Sequence, residues 1–245
     1  MKTVRTFLGI AAAVAGVAVL ASCASAPKLK GTEKIAIVSY SIEKSIVKEG
    51  DSPDRGPGLL NDKTTYYQHH QEALDQAWTA FKAKAPEVFG PDRLVDIGTI
   101  EGNADVAASA ASTNSMLADM CVHPADLGYV SLLDEKQNAK LAAATKADLV
   151  MGISIKAGYA MYNGLSIGGI GGGQANMRLT ATVCLADANG KLVRRSVVYG
   201  QGTETALIGS IGAIGMGMDP AQFPRLIVSA QEDLLKNLAK EFASW

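Results

Sequence analysis

MRLTATVCLADANGKLVRRSVVYGQG, residues 177–202, decides the fold of this chain. Its first half alternates, with Leu179, Ala181, Val183 and Leu185 facing one way, the two-residue period of a half-buried strand. Asn189-Gly190 is the dipeptide favoured in a two-residue hairpin turn, and KLVRRSVVYGQG returns as the partner strand. A late antiparallel hairpin is therefore expected.

Working outward, ADLVMGISIKAG (147–158) is a near-continuous apolar run of the kind found in strands buried on both faces. A helix through LLDEKQNAKLAAATK precedes it, with Ser131 as the expected N-cap and Asp134 three residues on in an Asp version of the capping box. Nearer the amino terminus, KIAIVSYS (34–41) reads as a strand and DSPDRGPG (51–58) as turn chemistry. Residues 63–84 carry Leu74, Ala77, Trp78 and Phe81 on one helical face, with Pro86 expected to end the helix. RLVDIG (93–98) reads as a second strand, and Val106 to Met120 is weakly helical. After the hairpin, Asp219-Pro220 is expected to start a last helix, delayed by Pro224, with Leu226, Ile227, Ala230, Leu234, Leu238 and Phe242 at helical spacing. Strand and helix alternate early and a hairpin comes late. The expected class is mixed α/β: a central mixed sheet with packed helices.

The amino terminus is read apart from the fold. Lys2 and Arg5 precede an uncharged apolar run from Thr6 to Leu20, which is shorter than the ~20 residues of a spanning helix. Leu20-Ala21-Ser22-Cys23 completes the pattern of a secretory signal and resembles the lipobox of bacterial lipoproteins. That resemblance implies cleavage after residue 22, lipidation of Cys23 and a lipidated tether over 23–33. Ala24, in place of an aspartate, points to the outer membrane. Residues 34–245 are then one domain. The formal net charge is −1 and the leader removes two cations, so no basic tract remains for nucleic acid. Cys121 and Cys184 are expected unpaired, although an extracytoplasmic disulfide is chemically open to them.

Two glycine-rich, charge-free segments flank the hairpin, at 157–177 and 205–218. No charge lies between Lys156 and Arg178, or between Glu204 and Asp219. Gly164, Gly168 and Gly172 repeat at GxxxG spacing, and Gly209, Gly212 and Gly215 recur every third residue. Small residues let backbones approach closely, but three successive glycines cost a helix roughly 1 kcal/mol each. The candidate interaction residues are Tyr159, Tyr162, Gly164, Leu165, Ile167, Gly168, Ile170, Gly172, Ile208, Gly209, Ile211, Gly212, Ile214 and Gly215. They are expected to meet each other, a second subunit or the membrane, with solvated loops as the plain alternative.

No catalytic spelling in the chain completes its motif. Gly164-Leu165-Ser166-Ile167-Gly168 matches GxSxG, but His69, His70 and His123 all precede it and a strand follows where an elbow needs a helix. No phosphate fingerprint closes, since Gln174 and Asn176 stand where a third glycine is required. His69 with Glu72 makes at most half a metal site. No catalytic residue, metal or cofactor is expected.

The carboxy-terminal half, from KLAAATKADLVMGISI through the hairpin to SAQEDLLKNLAKEF, resembles the curli-secretion lipoprotein (CsgG) family. It is also similar to the TolB amino-terminal domain and to lipoprotein activators of penicillin-binding proteins. The carrying elements are Ala147-Asp148-Leu149-Val150 and Leu185-Ala186-Asp187-Ala188-Asn189-Gly190, with KIAIVSY as the first strand. The resemblance spans residues 33–243 and implies a TolB-like α/β fold. It also implies a lipoprotein on the periplasmic face of the outer membrane, binding or helping to assemble an unidentified envelope protein without enzymatic chemistry. In the secretion channels, insertions at these two positions form membrane hairpins of an oligomeric barrel, so a homo-oligomeric pore is the alternative. An enzyme of unrecognised class is the second alternative.

Overall fold

The computed structural model describes residues 28–48, 69–112, 118–167, 170–211, 214–216 and 219–245. The leader, Cys23, Ala24, the 51–58 turn, Tyr66, Tyr67, Gly168 and Gly212 lie outside the described residues.

The elements in chain order are β1 (Ile35–Lys48), α1 (His70–Phe89), α2 (Ile97–Ile100), α3 (Ala104–Ser112), β2 (Cys121–Val122), α4 (Glu135–Thr145), β3 (Leu149–Ile167), β4 (Ile170–Asp187), β5 (Leu192–Ile211), β6 (Ile214–Met216), a short 3-10 turn (Pro220–Gln222) and α5 (Phe223–Ala243). The strands form one mixed sheet in the order β2-β1-β3-β4-β5-β6. β1 and β3 are parallel, Ile35 opposite Leu149, and the other four neighbouring pairs are antiparallel. The expected mixed sheet with packed helices and a carboxy-terminal helix is the observed class.

α1 and α5 pack together over one face. Leu179, Ala181, Val183 and Leu185 are buried there beneath Leu226, Ile227, Ala230 and Leu234, as the two periodicities require. A Cβ on Gly200 of β5 would fall 2.5 Å from the Leu234 Cβ, so glycine is what lets α5 lie directly on the sheet. Tyr40, Trp78 and Phe81 interlock at the centre, with ring centroids 4.9–5.4 Å apart. Tyr40 donates to Gln231 Oε1 at 3.3 Å and Gln231 Nε2 donates to the Ala77 carbonyl at 2.6 Å, tying β1, α1 and α5 through one buried amide. Burial pushes the Tyr40 phenol well above its ordinary range. On the second face, Leu132 packs over Gly152 and Ser39 Oγ accepts from the Val130 amide. Higher on that face Val197 and Tyr199 are 48% and 64% exposed.

Several local expectations are corrected. Residues 93–98 are no strand: Leu94 makes a single parallel bridge with Ile35. The Asp96 carboxylate then caps α2 by accepting from the Thr99 amide at 3.0 Å, a side-chain alternative that ends the ladder. The cap of α4 is Asp134, which accepts from the Lys136 and Gln137 amides at 2.8 and 3.1 Å, rather than Ser131. Pro86 does not end α1, which runs on to Phe89 and stops at Gly90 with φ +90°. The late hairpin joins β4 to β5, but through a wider turn than the expected two residues. The Gly190 amide donates to the Asp187 carbonyl at 2.8 Å and the Asp187 amide to the Lys191 carbonyl at 2.9 Å. Gly190 has φ +86°, the arrangement of a three-residue turn with a glycine bulge. Asp187 closes it by accepting from the Asn189 and Lys191 amides.

Cys121 and Cys184 are both free. They sit on β2 and β4 with β1 and β3 between them. Three strand spacings of ~4.8 Å separate them by at least about 14 Å, twice what a disulfide spans.

Candidate functional site

The two glycine-rich segments are one structure. β3, β4 and β5 run past the end of α5 as continuous strands of 19, 18 and 20 residues, roughly three times the usual strand. The outer part of β4 pairs on one side with β3, from Tyr162↔Gln174 to Ile167↔Ile170. On the other side it pairs with β5, from Asn176↔Thr205 to Ile170↔Ile211. β6 continues the sheet through Gly209↔Met216, Ser210↔Gly215 and Ile211↔Ile214. The result is a four-stranded blade extending from the helix-covered body.

Its register sorts the sequence. Residues directly opposite share a face of the sheet. Positions 167, 170, 211 and 214 form one rung across four strands, and isoleucine occupies all four. The rung two residues inward, 165, 172, 209 and 216, reads Leu, Gly, Gly, Met. Between them the rung 166, 171, 210 and 215 reads Ser, Gly, Ser, Gly and belongs to the opposite face. The alternation that glycine obscures in the linear sequence emerges once the strands are in register. Of the candidate residues, Tyr162, Leu165, Ile167, Ile170, Gly172, Ile208, Gly209, Ile211, Ile214 and Gly215 are brought together on paired blade strands. Gly164 falls at the register shift between Tyr162 and Leu165. Tyr159 is corrected: it is 7% exposed and belongs to the core, because the core face continues through Met177 and Ala175 into the base of the blade.

The blade base is built from residues that linear reading missed. β5 sets residues 202–204 against the single β4 residue Met177, between the pairs Asn176↔Thr205 and Arg178↔Gln201, a bulge of the kind that re-aims a strand. Side chains bond four of its backbone groups. Asn176 Nδ2 donates to the Gly202 carbonyl at 3.2 Å, and Ser229 Oγ of α5 accepts from the Thr203 and Glu204 amides at 3.1 Å each. Arg225 pairs with Glu204 at 2.5 Å and donates to the Thr205 carbonyl at 3.4 Å. The available signals were an amide, Asn176, at the end of a charge-free run and a serine, Ser229, among the apolar positions of the last helix.

No protein-family model and no curated protein matches this chain.

The other singled-out residues lie elsewhere. Ser166 pairs with Gly171 within the β3–β4 ladder, so the GxSxG spelling runs up a strand toward another strand, whereas an elbow turns from strand into helix. His69 Nδ1 lies 3.3 Å from Glu72 on the exposed side of α1. Among the described residues no three His, Cys, Asp or Glu cluster as metal ligands, and no helix is long and apolar enough to cross a membrane. Burial pushes both thiols up; at Cys121 the Glu43 charge adds to this, while at Cys184 Arg195 opposes it.

Proposed function

We propose that this chain is a lipid-anchored protein of the bacterial outer membrane, facing the periplasm. Its working part is the charge-free blade, used as a non-enzymatic binding or assembly surface toward an envelope partner. One observation carries the reading: two uncharged segments separated in sequence by the hairpin are hydrogen-bonded into a single sheet that projects past the helix layer. Leu207 on this blade is 77% exposed. Beyond its base, where Ala175 and Ala206 join the core, this uncharged, backbone-rich extension lies past the helix layer, and surfaces of this composition mark interaction sites.

A photo-crosslinking residue at Leu207 tests this against one at Leu133, which is also 77% exposed but lies beside α4. Partner adducts are expected from Leu207 and not from Leu133 in intact cells. Equal yields from the two positions would sink the proposal. Replacing Cys23 with serine should release the protein from membranes.

The pore reading has a specific observation in its favour. Isoleucine-rich and serine/glycine rungs alternate between blade faces, the two-faced pattern of a membrane barrel strand. Length argues against it. Tilted spanning strands need about 9–11 residues; β3 offers eleven uncharged positions (157–167), β4 eight (170–177) and β5 seven (205–211). A detergent-solubilised ring with ion conductance would make the pore the function; a stable monomer would remove it.

A further inference from the structure

Three exposed apolar side chains share one strand and one face. The even-numbered residues of β4 from 170 to 184 face away from α5, and their partners on β5 face the same way. Val197 is opposite Thr182, Tyr199 opposite Thr180 and Leu207 opposite Gln174. These three are half of the exposed large hydrophobic side chains among the described residues. A sheet face left to water is ordinarily polar, so this column marks a contact surface.

The face is stepped. At the body end Leu132 lies over Gly152, and α4 reaches the β4–β5 turn, where Asn138 Nδ2 donates to the Gly190 carbonyl at 3.0 Å. From Thr182 outward the face is open, and Asn176 is the midpoint of that open run along β4. Thr180, with Tyr199 beside it, is four residues to one side; Gly172, with Gly209 beside it, is four residues to the other. A ridge and a hollow therefore stand about 14 Å either side of one rung.

A two-fold axis across the strands at Asn176 turns this face onto itself. It lays Tyr199 of each copy on the Gly172–Gly209 hollow of the other, and Gln201 on Leu207. Charge favours the same arrangement. Lys156, with Glu43 3.2 Å away, Arg178 and Arg195 sit toward the body, whereas the blade end of the face is uncharged. The rotation sets the charged end of each copy on the uncharged end of the other. Stacking in the same sense would oppose like charges and drive α4 into α4. The open part of β3–β5 is about 14 Å wide and, from residue 182 to 170 of β4, about 41 Å long. Its plan area of about 600 Å², before side-chain relief, approaches the ~800 Å² per partner of a standard interface.

We propose that this chain forms an isologous dimer through the open sheet face, with each Tyr199 seated on the second copy's Gly172–Gly209 pair. The two sheets pack face to face ~10 Å apart, the β3 and β6 edges take no part, and the two-fold closes the assembly at two copies. The dimer rests on the blade being an interaction surface and names its partner as a second copy.

The test co-expresses two differently tagged full-length chains, Thr180→Cys and Gly172→Cys, each with Cys121→Ser and Cys184→Ser, and treats intact cells with a short bis-maleimide. Each position lies about 14 Å from the axis, so like positions in a dimer are about 27 Å apart. Crosslinks are expected between the two tags and not within either. Sedimentation of the parent chain in detergent should show a reversible monomer–dimer equilibrium. Tyr199→Ser, at an exposed side chain, should raise its dissociation constant roughly tenfold or more, as loss of a central aromatic anchor does. Crosslinks within one tag, or a ladder above the dimer, would overturn the two-fold arrangement. So would a folded Tyr199→Ser protein that dimerises as the parent does. A monomer at every concentration, with Leu207 adducts to a different protein, would overturn the dimer and leave the binding surface standing. Leu207 adducts no more frequent than those from Leu133 would remove the surface and the dimer together.

Discussion

Gly172 of β4 lies directly opposite Gly209 of β5, midway along the blade. The pair joins two segments that are 37 residues apart in sequence, and it places their glycines where the sheet carries no side chain on that face. A charge introduced here alters the blade and leaves the body alone.

Gly172→Arg is therefore expected to abolish crosslinks from Leu207 while leaving stability nearly unchanged. Surface substitutions away from packed features stay within ~0.5 kcal/mol, about 2 °C in a chain of this size. Calorimetry and in-cell crosslinking report the two quantities separately. A fall of more than about 5 °C would show that the blade is part of the folding unit.

Asn176 holds the bulge at the blade base, with its amide on the Gly202 carbonyl and its backbone opposite Thr205. Asn176→Leu removes that donor and leaves a buried carbonyl unsatisfied, a loss of about 1–3 kcal/mol. Ser229→Ala strips an acceptor from two amides at the same bulge. The two sites share one structural element, so their effects should fall short of additivity in a double-mutant cycle. Full additivity in urea denaturation would mean that the bulge is not held as a unit.

Acid should loosen the tether. Burial pulls the Glu33 carboxyl upward, but hydrogen bonds from the Lys30, Glu33 and Gly31 amides and the Arg93 charge outweigh it and hold it below 4.5. Glu241 is lowered by hydrogen bonds from Trp245 and Ser196, against burial, with Arg194 assisting. A carboxylate whose folded value is depressed contributes stability that is complete above its unfolded value and is lost as pH falls through the folded one. The Leu29 amide donates to the Trp245 carbonyl at 3.1 Å. Its exchange protection should thus be constant from pH 6 to 8 and fall below about pH 4.5, and Glu33→Gln should weaken it already at pH 7. Equal weakening of protection by acid in the parent chain and in Glu33→Gln would contradict the assignment.

The thiols should behave independently. With two strands between them, Cys121 and Cys184 cannot pair without unfolding the sheet. Both thiols are pushed up, so alkylation at pH 8 should be slow in the native protein and complete to two thiols per described domain in denaturant. A mass two hydrogens lower under oxidising conditions, with the fold intact, would show the strand order to be wrong.

What linear reading captured is local chemistry with a short period. The alternation from Leu179 to Leu185 and the helical spacing from Leu226 to Phe242 each report the face that loses water. It misjudged termini, because a cap is decided by which side chain can reach an amide: Asp134 does so for α4, and Asp96 turns a nascent strand into a helix. It could not read the blade, since glycine has no side chain to carry a period and Ser166 reads alike on a strand or at an elbow.

Residue order alone dictates a mixed sheet with packed helices, two uncharged segments beside one hairpin, and a lipobox-like cysteine six residues before Leu29. Tertiary structure decided the rest through register and direction. Only strand pairing brings Ile167, Ile170, Ile211 and Ile214 onto one rung, and only the path of α5 sets Trp245 and the blade about 31 Å apart. Both follow from long-range hydrogen bonds and packing, which are properties of the folded chain and leave no signature in the order of its residues.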